Sequence, residues 1–214
     1  HAESAFGLAE TGQTMVAAPD ARTVRVYIND EALEVGRTEI LKDDLRLDFK
    51  DGTLISDTLW RTAEGHRVSV RTRSMVSFSE RHLALFRISV RLLDAPAHVF
   101  VQSAVIGQAT GTPVITPAEA DAGEIAFDPR KKEESGEESL QPGGTYDDGE
   151  IEALSYYVKG SNMSVATAIQ HVVSDAGGDP EIEKTHVVAD AKAECNVSVY
   201  LDRDQALHMD KFAS

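Results

Sequence analysis

Several features that would point to a particular chemistry are missing. There is one cysteine, Cys195. A single thiol makes no internal disulfide, so nothing indicates an oxidising compartment, and Cys195 beside Asn196 in a strand-like run reads as a half-buried structural thiol. There is one tryptophan, Trp60, and aromatic residues make up 6% of the chain. No apolar run approaches the roughly 20 residues that a membrane-spanning helix needs. The sequence has no G-x-x-x-x-G-K-[ST] phosphate loop and no G-x-S-x-G elbow. Its seven histidines (His1, His66, His82, His98, His171, His186 and His208) are scattered, and none pairs with another His or Cys at zinc-ligand spacing. Each therefore reads as a surface or packing residue, and no catalytic residue, cofactor or metal is expected. Positive charge is scarce too: 21 Lys and Arg against 36 Asp and Glu give a net charge of -15. Such a surface repels nucleic acid and anionic lipid; a cytoplasmic location is expected, with no nucleic acid or membrane as partner.

What the sequence does contain is period-2 alternation. Val24, Val26 and Ile28 alternate with polar or aromatic neighbours, as do Leu45, Leu47 and Phe49; Val68 and Val70; Phe86, Ile88, Val90 and Leu92; Val99 and Val101; and Val197, Val199 and Leu201. Alternation of this kind marks strands with one face in a core and one in water. Asp51-Gly52 and Glu64-Gly65 supply hairpin-type turns, and Asp94-Ala95-Pro96 breaks the chain. Short turns impose antiparallel pairing, and two sheets packed face to face bury the apolar face of each. The expectation is an all-β, two-layer antiparallel β-sandwich with little helix, forming one domain over 1–214. Residues 110–150 carry Lys131-Lys132-Glu133-Glu134 and Pro142-Gly143-Gly144 with few large apolar side chains, and read as a long polar, acidic loop. Strand-like sequence resumes at Ala153–Val158 and Ser164–Ile169, with Tyr156 and Tyr157 pointing to opposite faces.

Candidate site residues are few. Carboxylates are abundant, but no feature marks one out as a catalytic acid. Asn162-Met163-Ser164 and Asn196-Val197-Ser198 match the glycosylation acceptor pattern, which is short and common. The arginines are more informative, since Arg61, Arg67, Arg71, Arg73, Arg81, Arg87 and Arg91 crowd one stretch of an acidic chain. By alternation, Arg67, Arg71 and Arg73 point away from the core on one strand, and Arg87 and Arg91 on another. If the two strands are neighbours, the sheet carries a basic outer stripe, either paired with Asp and Glu across strands or serving as a docking face for an acidic partner.

An ordered set of segments resembles the amino-terminal domain of glycoside hydrolase family 65, whose members include maltose, trehalose and kojibiose phosphorylases. The segments are His1–Gly7, Thr11–Thr14, Leu47–Leu54, Leu59–Thr62, Arg67–Phe78, Arg81–Ala84, Asp128–Arg130 and Met209–Phe212. The resemblance implies a large galactose-mutarotase-like supersandwich placed before a helical linker and an (α/α)6 barrel. The barrel would hold the general acid and the phosphate site. The implied reaction is inverting phosphorolysis of an α-linked disaccharide to β-glucose 1-phosphate, with a carboxylic acid protonating the leaving oxygen and phosphate attacking the opposite face. The chain opens at His1 rather than Met and ends at Ser214, so it is expected to be an excised or processed piece lacking the family's first strands, with an exposed sheet edge and a homodimer as consequences to test. Its expected role is to support the parent's barrel, carbohydrate binding and dimerisation. The alternative is a free-standing carbohydrate-binding module or a structural sandwich, an immunoglobulin-like one having only seven to nine strands.

Overall fold

The computed structural model describes residues 2–3, 12–13, 18–107, 140–175, 180–189 and 191–214. Among them are fifteen strands and no helix. A short pair is made by β1 (Ala2–Glu3) and β2 (Gly12–Gln13). The remaining strands are β3 (Val24–Ile28), β4 (Glu31–Ala32), β5 (Glu39–Asp48), β6 (Thr53–Arg61), β7 (Arg67–Val76), β8 (Ala84–Leu92), β9 (Ala97–Ile106), β10 (Leu140–Asp147), β11 (Ile151–Val158), β12 (Met163–Asp175), β13 (Ile182–Ala189), β14 (Lys192–Leu201) and β15 (Ala206–Ala213). They form an eight-stranded sheet ordered β10-β11-β12-β15-β8-β7-β6-β5 and a five-stranded sheet ordered β13-β14-β9-β3-β4. Every pairing is antiparallel. The all-β sandwich is therefore the fold, and it is larger than a seven-to-nine-strand immunoglobulin-like one. No helix of the described residues is long and apolar enough to cross a membrane.

The hairpins follow from turn chemistry. Gly52 joins β5 to β6 at φ 63° and Gly65 joins β6 to β7 at φ 89°, backbone conformations that a Cβ disfavours. Between the turns, alternation decides burial. On β8, Ile88, Val90 and Leu92 are buried while Arg87 and Arg91 are exposed; on β9, Val99 and Val101 are buried beside exposed His98. Val26, Val68, Val197, Val199 and Leu201 join them in the principal apolar cluster. A second cluster gathers Val105, Leu140, Leu154, Tyr156, Ile169 and Ala193 at the β10–β11 end. Tyr156 lies in that core and Tyr157 is exposed, the split that alternation predicts.

Three expectations need correction. The polar stretch over 110–150 ends in a strand, because β10 contains Pro142-Gly143-Gly144; β10 is a sheet edge and its register shifts between Pro142 and Gly144, and an edge with a bulge is where a strand tolerates proline. Residues 108–139 lie outside the described residues. Cys195 is fully buried rather than half-buried. Leu45 and Leu47 do face inward, in register with Ser56 and Leu54 and on the side of Trp60, yet they are 65% and 51% exposed, and Phe49 in the following turn is 88% exposed. The eight-stranded sheet outruns the five-stranded one, whose edge is the two-residue β4, so among the described residues no second layer covers that corner.

Candidate interaction site

The β7–β8 pairing puts the predicted arginines on one face. Arg71 lies opposite Ser89, Arg73 opposite Arg87, and Arg91 opposite Ser69, with Arg67 at the start of β7. Most of this positive charge is already matched. Arg71 pairs with Asp57, its cross-strand partner on β6. Arg87 donates to Asp210, its partner on β15, with Nε to Oδ1 at 2.6 Å. Arg67 forks onto Asp94, with Nη2 to Oδ1 at 2.7 Å, and Arg91 reaches Asp204 at 3.5 Å. Arg73 has no ion-pair partner among the described residues. Cross-strand aspartates thus match Arg71 and Arg87 and turn aspartates match Arg67 and Arg91, so among the described residues Arg73 is the one arginine of the stripe without an ion pair.

The guanidinium groups of Arg71, Arg67 and Arg87 hold the carboxyls of Asp57, Asp94 and Asp210, respectively, below the usual carboxylate range, chiefly through side-chain hydrogen bonds. A carboxylate depressed in the folded state stabilises fully above its unfolded pKa, and that contribution is lost as pH falls through the folded value. Stability from these pairs should hold down to about pH 4 and then decline on further acidification. The decline should be modest, and flatter in about 1 M salt, because the pairs are solvent-exposed. Thermal melts at stepped pH, with and without salt, check this.

Beside Arg73 lies a groove of about 350 Å³, lined by Met75, Leu85, Phe212, Arg87 and Asp210 among others. Two sequence segments far apart in the chain, Arg67–Phe78 and Met209–Phe212, meet there. The uncovered inner corner is the second surface. Leu45, Leu47, Leu54 and Val76 share the inward face of β5–β7 by register, each is at least 41% exposed, and Phe49 and Phe78 stand almost fully exposed in the adjoining turns. A concentration of large apolar side chains on a face that no second layer of the described residues covers marks a candidate interaction surface. Trp60, by contrast, is 8% exposed within the core and offers no stacking platform for a sugar.

Comparison with known proteins places this geometry. The family model described as "Glycosyl hydrolase family 65, N-terminal domain" matches residues 1–214. An uncharacterized glycosyl hydrolase of Mycobacterium leprae is 25% identical over 202 residues, covering 88% of this chain and 23% of that protein. The alpha,alpha-trehalose phosphorylase of Thermoanaerobacter brockii is 26% identical over 105 residues, covering 49% of this chain and 14% of that one. Among solved structures, a human-microbiome protein assigned as a kojibiose phosphorylase superposes with a TM-score of 0.73 at 10% identity, over 99% of this chain and 24% of that one; at that identity the likeness concerns the fold. The chain thus spans less than a quarter of the length of each of these proteins.

Proposed function

Because the chain belongs to glycoside hydrolase family 65 and corresponds to that family's N-terminal domain, we propose that it is the non-catalytic sandwich domain of a disaccharide phosphorylase. The observation that carries this reading is the family match over 1–214, joined to a whole-chain superposition on one quarter of a larger relative. The parent would cleave an α-linked disaccharide with inversion, its general acid protonating the leaving oxygen while phosphate attacks from the opposite face to give β-glucose 1-phosphate. Both groups would belong to the (α/α)6 barrel, and this domain would supply scaffold rather than a reacting atom.

The uncovered corner around Leu45, Leu47, Leu54, Val76 and Phe49 is the surface we assign to the barrel. Apolar area of that kind is stabilised only when another surface removes it from water, and a large remainder of the polypeptide is the available occupant. The groove beside Arg73 is the secondary candidate, for an acidic segment of the barrel or of a second copy in a homodimer.

The purified chain should therefore release no sugar phosphate from maltose, trehalose or kojibiose with inorganic phosphate, while the full-length protein turns over at least one of them. Turnover by the chain alone would overturn the reading.

A further inference from the structure

The two apolar clusters of the sandwich are separated by a belt of buried polar side chains. On the five-stranded sheet, His186 (β13), Cys195 (β14) and Ser103 (β9) lie side by side in one row of the register. On the eight-stranded sheet, Glu152 (β11) pairs with Ile169 and His171 (β12) pairs with Lys211 (β15), so Glu152 and His171 are diagonal neighbours. All of these project between the layers. Glu152 and His171 have fully buried side chains, and Cys195 is 0% exposed.

Each of the two is held by one atom and leaves the other free. His186 Nδ1 contacts Glu152 Oε1, and Ser103 Oγ lies 2.8 Å from His171 Nε2. The remaining atoms, Glu152 Oε2 and His171 Nδ1, have no hydrogen-bond partner among the described residues. They stand 3.8 Å apart, too far for a hydrogen bond, and a carboxylate oxygen of Glu152, a ring nitrogen of His171 and Cys195 Sγ all lie within 4.8 Å of one another. Buried polar atoms without partners are rare and costly. Here two converge on one point together with a third potential ligand.

We propose that Glu152, His171 and Cys195 form a divalent-metal site of the zinc type, clamping the two sheets together between their apolar clusters. The donor set is one carboxylate, one imidazole and one thiolate, which suits a borderline-soft ion such as zinc. Bonds of about 2.0–2.3 Å to a tetrahedral ion put its ligands about 3–4 Å apart, so atoms within 4.8 Å of one another need to draw in by up to about 1–2 Å. His186 and Ser103 then act as the outer partners that orient a ligating carboxylate and imidazole. Burial pushes the His171 imidazole down to about 3, which leaves it in the neutral, ligating form. Burial raises the Cys195 thiol, so in binding a dication it would release its proton to solvent; thiolate and carboxylate then balance the ion's charge. Two lysines, Lys184 on β13 and the buried Lys211, act on His171 and Cys195, and the Lys211 ammonium is engaged by the Ala104 carbonyl, with Nζ to O at 2.9 Å. The fourth position falls to water or to a rotated His186.

The test is metal analysis of the purified full chain, followed by exchange of its metal for cobalt(II). About one zinc per chain should survive gel filtration, and the cobalt form should show tetrahedral visible bands and a sulfur-to-cobalt charge-transfer band. With one cysteine in the chain, that sulfur band reports Cys195 alone. Cys195→Ser should abolish it, His171→Gln should weaken metal binding about 10-fold or more, and a chelator should lower the thermal midpoint of the wild type. A folded wild-type chain with less than about a tenth of an equivalent of metal and no cobalt spectrum would overturn the proposal, its belt then being bridged by water or a shared proton. So would a cobalt spectrum unchanged by Cys195→Ser.

Discussion

Leu201→Ala should destabilise the purified chain by about 3 kcal/mol, whereas Tyr200→Ala, one residue earlier, should cost less than about 1 kcal/mol. Leu201 is 0% exposed in the principal cluster and Tyr200 is 50% exposed on the opposite face of β14. Truncating a core leucine loses transfer free energy and leaves a cavity that close-packed neighbours such as Val197 and Val199 only partly fill. Tyr200 loses an edge contact with His98, at 5.0 Å between ring centroids, and little burial. For a chain of this size the difference is about 5–10 °C in thermal midpoint. Denaturant melts of the two variants check it, and a one-residue error in the β14 register would reverse the order.

The second large effect concerns the uncovered corner. Leu45→Asp combined with Leu47→Asp should leave the stability of the isolated chain within about 1 kcal/mol of wild type, because both side chains are already more than half exposed. It should also reduce self-association of the chain, which light scattering reads. In the full-length protein the same pair should cost about 2 kcal/mol or more, since charges would be buried against an apolar partner surface. Comparison of thermal midpoints and of protease sensitivity of the two forms checks this. An equal, small effect in both would place the interdomain contact elsewhere.

Strands were legible where valine and isoleucine hold one phase, as in β3, β8, β9 and β14. They were not where the inward phase carries polar residues. On β15 the inward positions are Leu207, Met209, Lys211 and Ala213, and Lys211 is fully buried with its ammonium on the Ala104 carbonyl; a lysine in phase with the core hides the central strand that joins the two halves of the large sheet. On β13 the inward positions include Lys184 and His186, and on β6 they include Ser56 and Thr58. Alternation also assigns a face without saying whether a second layer covers it, so Leu45 and Leu47 were oriented correctly yet read as core.

The arginine stripe was legible because its five members sit on two adjacent strands, and the aspartates that neutralise it, Asp57 on β6 and Asp210 on β15, are fixed by pairings the sequence does not display. The buried polar belt was hidden for a similar reason. Ser103, Glu152, His171, His186 and Cys195 come from five strands, and no zinc-type spacing connects them. One local signal was available: Glu152 is in phase with Leu154 and Tyr156, both buried, and a carboxylate in the core phase of a strand needs a partner.

Amide hydrogen exchange, compared between the isolated chain and the full-length protein, tests the central claim most directly. A scaffold whose uncovered corner seats the rest of the polypeptide predicts slower exchange in the full-length protein across the β5–β6 hairpin and the end of β7, with the β9–β14 core unchanged. Identical exchange at that corner in both forms, with new protection confined to other surfaces, would contradict it.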